Sequence, residues 1–120
     1  MLEEFLERPK VAPLLAKDWV DVMIDTERMT HGQAIMDRLK GKRQGGLPWM
    51  IVLDADGKEL ITSNKEDGGG NIGGPVQPEE IAHFIQMLRR TKQHMSDEDV
   101  ATVEGELNEY AKPFQRPQRR

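Results

Sequence analysis

Chemistry needs nucleophiles, bases, metal ligands or phosphate cradles, and this sequence holds few of them. It has no cysteine. No thiolate is therefore available as nucleophile, redox centre or soft metal ligand, and no disulfide can form. Its three histidines, His31, His83 and His94, stand far apart along the chain. None has a second ligand at the i+3 or i+4 spacing that brings two donors to one helical face. His31 and His83 read as surface or capping residues. Ser63 and Ser96 fall in turn and cap contexts, so no Ser/His/Asp relay can be assembled. Glu79-Glu80 is a helix-start pair before it is an acid/base pair. Asp54-Ala55-Asp56-Gly57 has the letters of a calcium loop, but that loop needs a later glycine and a distal Glu. A hairpin turn explains these four residues better. The glycine-rich stretch Gly68 to Gly74 lacks G-K-[ST] and does not run from a strand into a helix with dinucleotide-binding spacing. It reads as a flexible, exposed loop. The expectation is no metal and no cofactor.

Composition narrows the classes further. The chain has 120 residues, the size of one domain. Hydrophobic residues make up 37% and charged residues 32% of it, a globular balance able to build a core without staples. The net charge of -4 argues against a general nucleic-acid binder. No run is long or apolar enough to span a bilayer. Met1 to Arg8 is acidic and amphipathic, unlike a secretory signal. The chain as it stands reads as cytoplasmic, with export open to a longer chain.

The elements follow from periodicity. Leu2, Phe5 and Leu6 form an apolar helical stripe ended by Pro9, and Val11 to Lys17 offers a second short helical stretch with Leu14 and Leu15 inward. Trp19 to Asp25 has strand character. Thr30 and Gln33 have capping-box spacing before a short helix that Gly41 closes, its end carrying Lys40, Lys42 and Arg43. Pro48 opens the buried strand Trp49–Leu53, and Asp54 to Gly57 turns the chain into a returning strand from Leu60. Pro78, Glu79 and Glu80 start a helix with core face Ile81, Phe84, Ile85 and Leu88. Ser96 caps a last helix with stripe Val100, Val103, Leu107 and Tyr110. Gln115 to Arg120 is expected to be a disordered basic tail.

The segment from Gly45 to Leu60 joins a glycine-rich loop, an apolar residue, a proline, a hydrophobic strand and an Asp-x-Asp-Gly-Lys turn. In this it resembles the second half of a thioredoxin-like domain, and the order of elements extends the resemblance over about Met1 to His94. The resemblance implies a cis Leu47–Pro48 bond in a loop that meets an extended peptide or thiol substrate. It also implies a central strand and a C-x-x-C that this sequence does not contain. That strand would lie between the equivalents of Trp19–Asp25 and Trp49–Leu53. Three outcomes are open: the sheet closes up, another chain fills the gap, or the sequence is a fragment.

The expected fold is α/β: a reduced thioredoxin-like, three-stranded mixed sheet with helices and an extra C-terminal helix. Trp19–Asp25 would pair in parallel with Trp49–Leu53 through a βαβ crossover, with Leu60–Ser63 antiparallel on the other side. The divisions would be 1–94 for the domain, 95–112 for a helical extension and 113–120 for the tail. Gly46, Leu47, Pro48 and Trp49 are the expected partner or peptide contact. Trp19, Val20 and Val22 would form an exposed edge that invites a second copy and a homodimer. Trp19 and Trp49, each opening a strand, would cover the sheet end or an interface. The expected function is a non-catalytic interaction or assembly module. The alternative is a piece of a thiol-disulfide oxidoreductase whose C-x-x-C lies upstream of Met1.

Overall fold

The computed structural model describes residues 2–22, 24, 27–43, 48–65 and 70–115. Along them run α1 (Leu2–Leu6), α2 (Ala12–Leu15), α3 (Gly32–Lys40), β1 (Ile51–Leu53), β2 (Glu59–Thr62), α4 (Pro78–Thr91) and α5 (Asp97–Ala111), then a 3₁₀ turn, Lys112–Phe114. β1 and β2 pair antiparallel as a two-stranded sheet, with Ile51 opposite Thr62 and Val52 opposite Ile61. A bulge between Val52 and Leu53 sets Leu53 opposite Glu59.

The core is helical. Phe5, Phe84, Met87, Leu88, Val103 and Leu107 are wholly buried, and the sheet adds Ile61, with Met50 and Val52 packed against the cluster. Phe84 is its hub: the rings of Phe5 and Trp19 meet it edge-on at 6.2 and 6.1 Å. The sequence explains α4 and α5 well. Gln77 and Glu80 form a capping box before Pro78, and Ser96 and Asp99 form another before α5. Ile81, Phe84, Ile85 and Leu88 face inward as their spacing requires, and Val100, Val103 and Leu107 join them from α5. Tyr110, last in that stripe, is half-buried and hydrogen-bonds Glu4 at 2.6 Å.

The expected three-stranded mixed sheet does not form. Trp19 to Val22 is in neither helix nor strand, and the sheet holds only β1 and β2. The cause lies at the start of the segment. The Trp19 amide donates to the Leu15 carbonyl at 2.8 Å, continuing the α2 turn. Its indole lies on Phe84 and donates to Thr91 Oγ1 at 2.9 Å. Asp18 accepts the backbone N–H groups of His94 and Met95. The segment is thus moored to the helices. The hairpin remains as two strands, with no βαβ unit among the described residues.

Two smaller expectations also change. The N-cap of α3 is His31, not Thr30, in a left-handed conformation at φ 64° with no side-chain cap bond. The loop after β2 is anchored, not free, in its described part. Ser63, Ile72 and Pro75 are buried, and Ile72 N–H donates to Ser63 C=O at 2.9 Å.

Candidate functional site

The Pro48 end of the hairpin is a closed polar knot. Ser63, fully buried, accepts the Met50 N–H at its hydroxyl (2.9 Å) and donates to Asn71 Oδ1 (2.6 Å). Asn71 Nδ2 donates to the Pro48 carbonyl at 3.0 Å. The Trp49 indole N–H donates to Asn64 Oδ1 at 2.6 Å. Asn64 and Asn71 face one another in an isolated antiparallel bridge. Buried polar groups are stable only when so paired. Among the described residues no buried side-chain nitrogen or oxygen lacks a partner.

Of the expected contact residues, Pro48 is exposed and Trp49 is buried beneath the Arg43 guanidinium, 6.0 Å from the ring centroid. Gly46 and Leu47 lie outside the described residues, and with them the geometry of the Leu47–Pro48 bond. Trp19 and Trp49 do not form a joint cover: one packs on α4, the other on the Asn64 loop. Val20 and Val22 are 92% and 72% exposed, but as loop residues rather than a sheet edge.

The knot has no catalytic geometry. Ser63 is inaccessible and its proton is committed to Asn71. His83 is buried, not a surface residue as expected, and its Nε2 lies 2.9 Å from the Thr62 carbonyl. It pins β2 to α4. No hydrogen bond joins His83 to Ser63. His31 is exposed. In the Asp54 turn the Oδ1 atom accepts the N–H groups of Asp56 and Lys58, both at 2.9 Å, and Gly57 takes the positive φ of 82° that closes it. Among the described residues no group of three or more His, Asp or Glu side chains is placed to hold a metal. No described helix is long and apolar enough to cross a membrane.

Sequence reasoning missed the outer edge of β1. Ser63 N–H donates to Met50 C=O, and Asp54 N–H donates to Lys58 C=O. Because antiparallel ladders alternate, Met50, Val52 and Asp54 turn inward and Ile51 and Leu53 turn their N–H and C=O outward. Nothing described meets these four groups outside the hairpin. The side chains of Ile51 and Leu53 meanwhile line an open cleft of about 370 Å³ under α3, with Ile35, Arg38, Leu39, Gly57 and Glu59. Arg43 holds the cleft together. It salt-bridges Glu59 and donates to the Leu39 carbonyl at 3.2 Å, so the end of α3 is tied to β2. Ile35 and Leu53 stay 38% and 40% exposed across it. An unpaired strand edge beside an apolar floor is a template for another strand. The signal was present in the sequence as Ile51-x-Leu53, but only the missing neighbour makes it an edge. No family model matches the chain, and no curated protein and no solved structure is significantly similar to it.

Proposed function

We propose that this chain is a non-catalytic interaction module that accepts a strand from another polypeptide at the outer edge of β1. One observation carries the reading: among the described residues nothing pairs with the outward N–H and C=O groups of Ile51 and Leu53, beside a cleft floored by Ile35, Leu39, Ile51 and Leu53. Main-chain hydrogen bonds would supply affinity and the apolar floor would select alternate side chains. The chain has no cysteine, the Ser63 hydroxyl is committed to Asn71, and His83 is held at the Thr62 carbonyl. Amide exchange read by NMR tests it. In a monomeric chain, with the β1 edge unoccupied, Ile51 and Leu53 exchange fast and Val52 slowly. A blocked peptide of alternating Thr and Val residues should protect Ile51 and Leu53. If neither amide responds at saturating peptide, the reading fails.

A second reading is favoured by the same edge taken together with Val20 and Val22. The chain would be the non-catalytic half of a thioredoxin-like thiol oxidoreductase, its strand and C-x-x-C lying upstream of Met1 and completing the sheet beside β1. In-frame DNA before Met1 encoding an apolar strand and then C-x-x-C would favour it, and the longer chain should then reduce a disulfide. A stop codon close upstream would exclude it.

A further inference from the structure

The interaction reading leaves the incoming strand unnamed, and the chain carries a candidate. Val20 and Val22 are the most exposed large apolar residues described. They are β-branched, stand two apart, and belong to no helix or sheet. That is strand material without a sheet. Ile51 and Leu53 are a sheet edge without a strand, with the same two-residue period. Within one copy the two do not meet, since the mooring of Asp18 and Trp19 holds the segment against α4 and the loop after it.

Charge fits as well. Asp21, between the valines, forms no ion pair among the described residues, and neither does Arg38 on the rim of the cleft. Lys40 and Lys42 make the same end of α3 basic. An acidic segment would be drawn to this rim.

Resting on the interaction reading, we propose that Val20–Val22 of a second copy adds to the outer edge of β1, and reciprocally, giving a two-fold dimer. The arrangement satisfies the backbone groups of Ile51 and Leu53 twice over and covers Val20 and Val22 in both copies. Such isologous exchange closes on itself and does not propagate.

Sedimentation equilibrium should give twice the chain mass of 13.7 kDa at high micromolar concentration. The double variant Val20→Lys/Val22→Lys should be monomeric with unchanged circular dichroism, because both side chains project into solvent. Its Ile51 and Leu53 amides should lose the protection seen in the parent. The cysteine-free background allows a positional check. A Val22→Cys chain mixed with a Leu53→Cys chain should form a mixed disulfide under mild oxidation, well above the yield of a Val22→Cys chain mixed with Lys112→Cys. A parent that stays monomeric with fast Ile51 and Leu53 exchange overturns the dimer. If the parent is monomeric and the Thr/Val peptide still protects those amides, the interaction reading stands and only the second copy falls. If the peptide also fails, both fall.

Discussion

Asp18 joins two parts of the chain with one carboxylate. Its oxygens accept the N–H groups of His94 and Met95, each at 2.9 Å. Burial pushes this carboxyl up, but the backbone N–H groups of Met95, His94 and Gln93 outweigh that and hold it below its usual value. The depressed side of the linkage applies. The stabilisation is present above the unfolded Asp value of about 3.9 and is lost as pH falls through the lower folded value. Asp18→Asn should therefore cost about 1–2 kcal/mol at neutral pH and progressively less as pH falls below the usual Asp value, as urea unfolding over that range would show. A constant cost across that range would refute the linkage. Ser63→Ala should cost about 1–3 kcal/mol, since it strands the Met50 N–H and frees Asn71 inside a buried knot. Neither role was legible beforehand. Asp18 drew no reading of its own and Ser63 read as a turn residue, because their partners lie 76 and 8 positions away and are chosen by the tertiary fold. His83 misled for the same reason: its partner is a backbone carbonyl 21 positions away.

At the scale of elements, what local chemistry decides was readable. Pro78 with two glutamates, Ser96 three residues before Asp99, and Asp54 ahead of Gly57 each specify a cap or turn within a few residues, and each forms. The hairpin was readable too. What fails is anything settled by competition. Trp19 to Asp25 has strand propensity, but the Trp19 indole gains Phe84 and Thr91 on α4, and the sheet loses its third strand. Thr30 loses the N-cap of α3 to His31, which pays for the position with a left-handed backbone. Asn tolerates that conformation and caps well, so His31→Asn should stabilise by about 0.5–1 kcal/mol. Thermal unfolding should then rise by a few degrees, about what such a gain gives a domain of this size. An unchanged or lower Tm would show that His31 has a compensating contact.

For the whole molecule, the balance between helix and sheet decides stability. Most wholly buried apolar side chains are helical, and Phe84 meets rings from both Phe5 and Trp19. Phe84→Ala should cost about 3–5 kcal/mol, a large share of the roughly 5–15 kcal/mol typical of a domain. Denaturant titration followed by tryptophan emission would measure it, and a loss near 1 kcal/mol would mean that the core collapses around the gap. The sheet contributes less to that core and is the more exposed layer. On the proposed reading, the outer edge of β1 therefore matters more for binding than for stability.

The packing of α1 against α5 bears on how the chain is made. Phe5 lies 5.9 Å from the Tyr110 ring, Arg8 pairs with Glu106 at 2.9 Å, and Lys10 reaches the same carboxylate. Of the described helices, α1 is the first to be made and among the last to find its place. At about 5–20 residues per second, roughly 5–20 s separate the synthesis of Phe5 from that of Tyr110. Through that interval the apolar stripe of Leu2 and Phe5 has no finished surface to cover it, and completion of the fold waits on the ribosome.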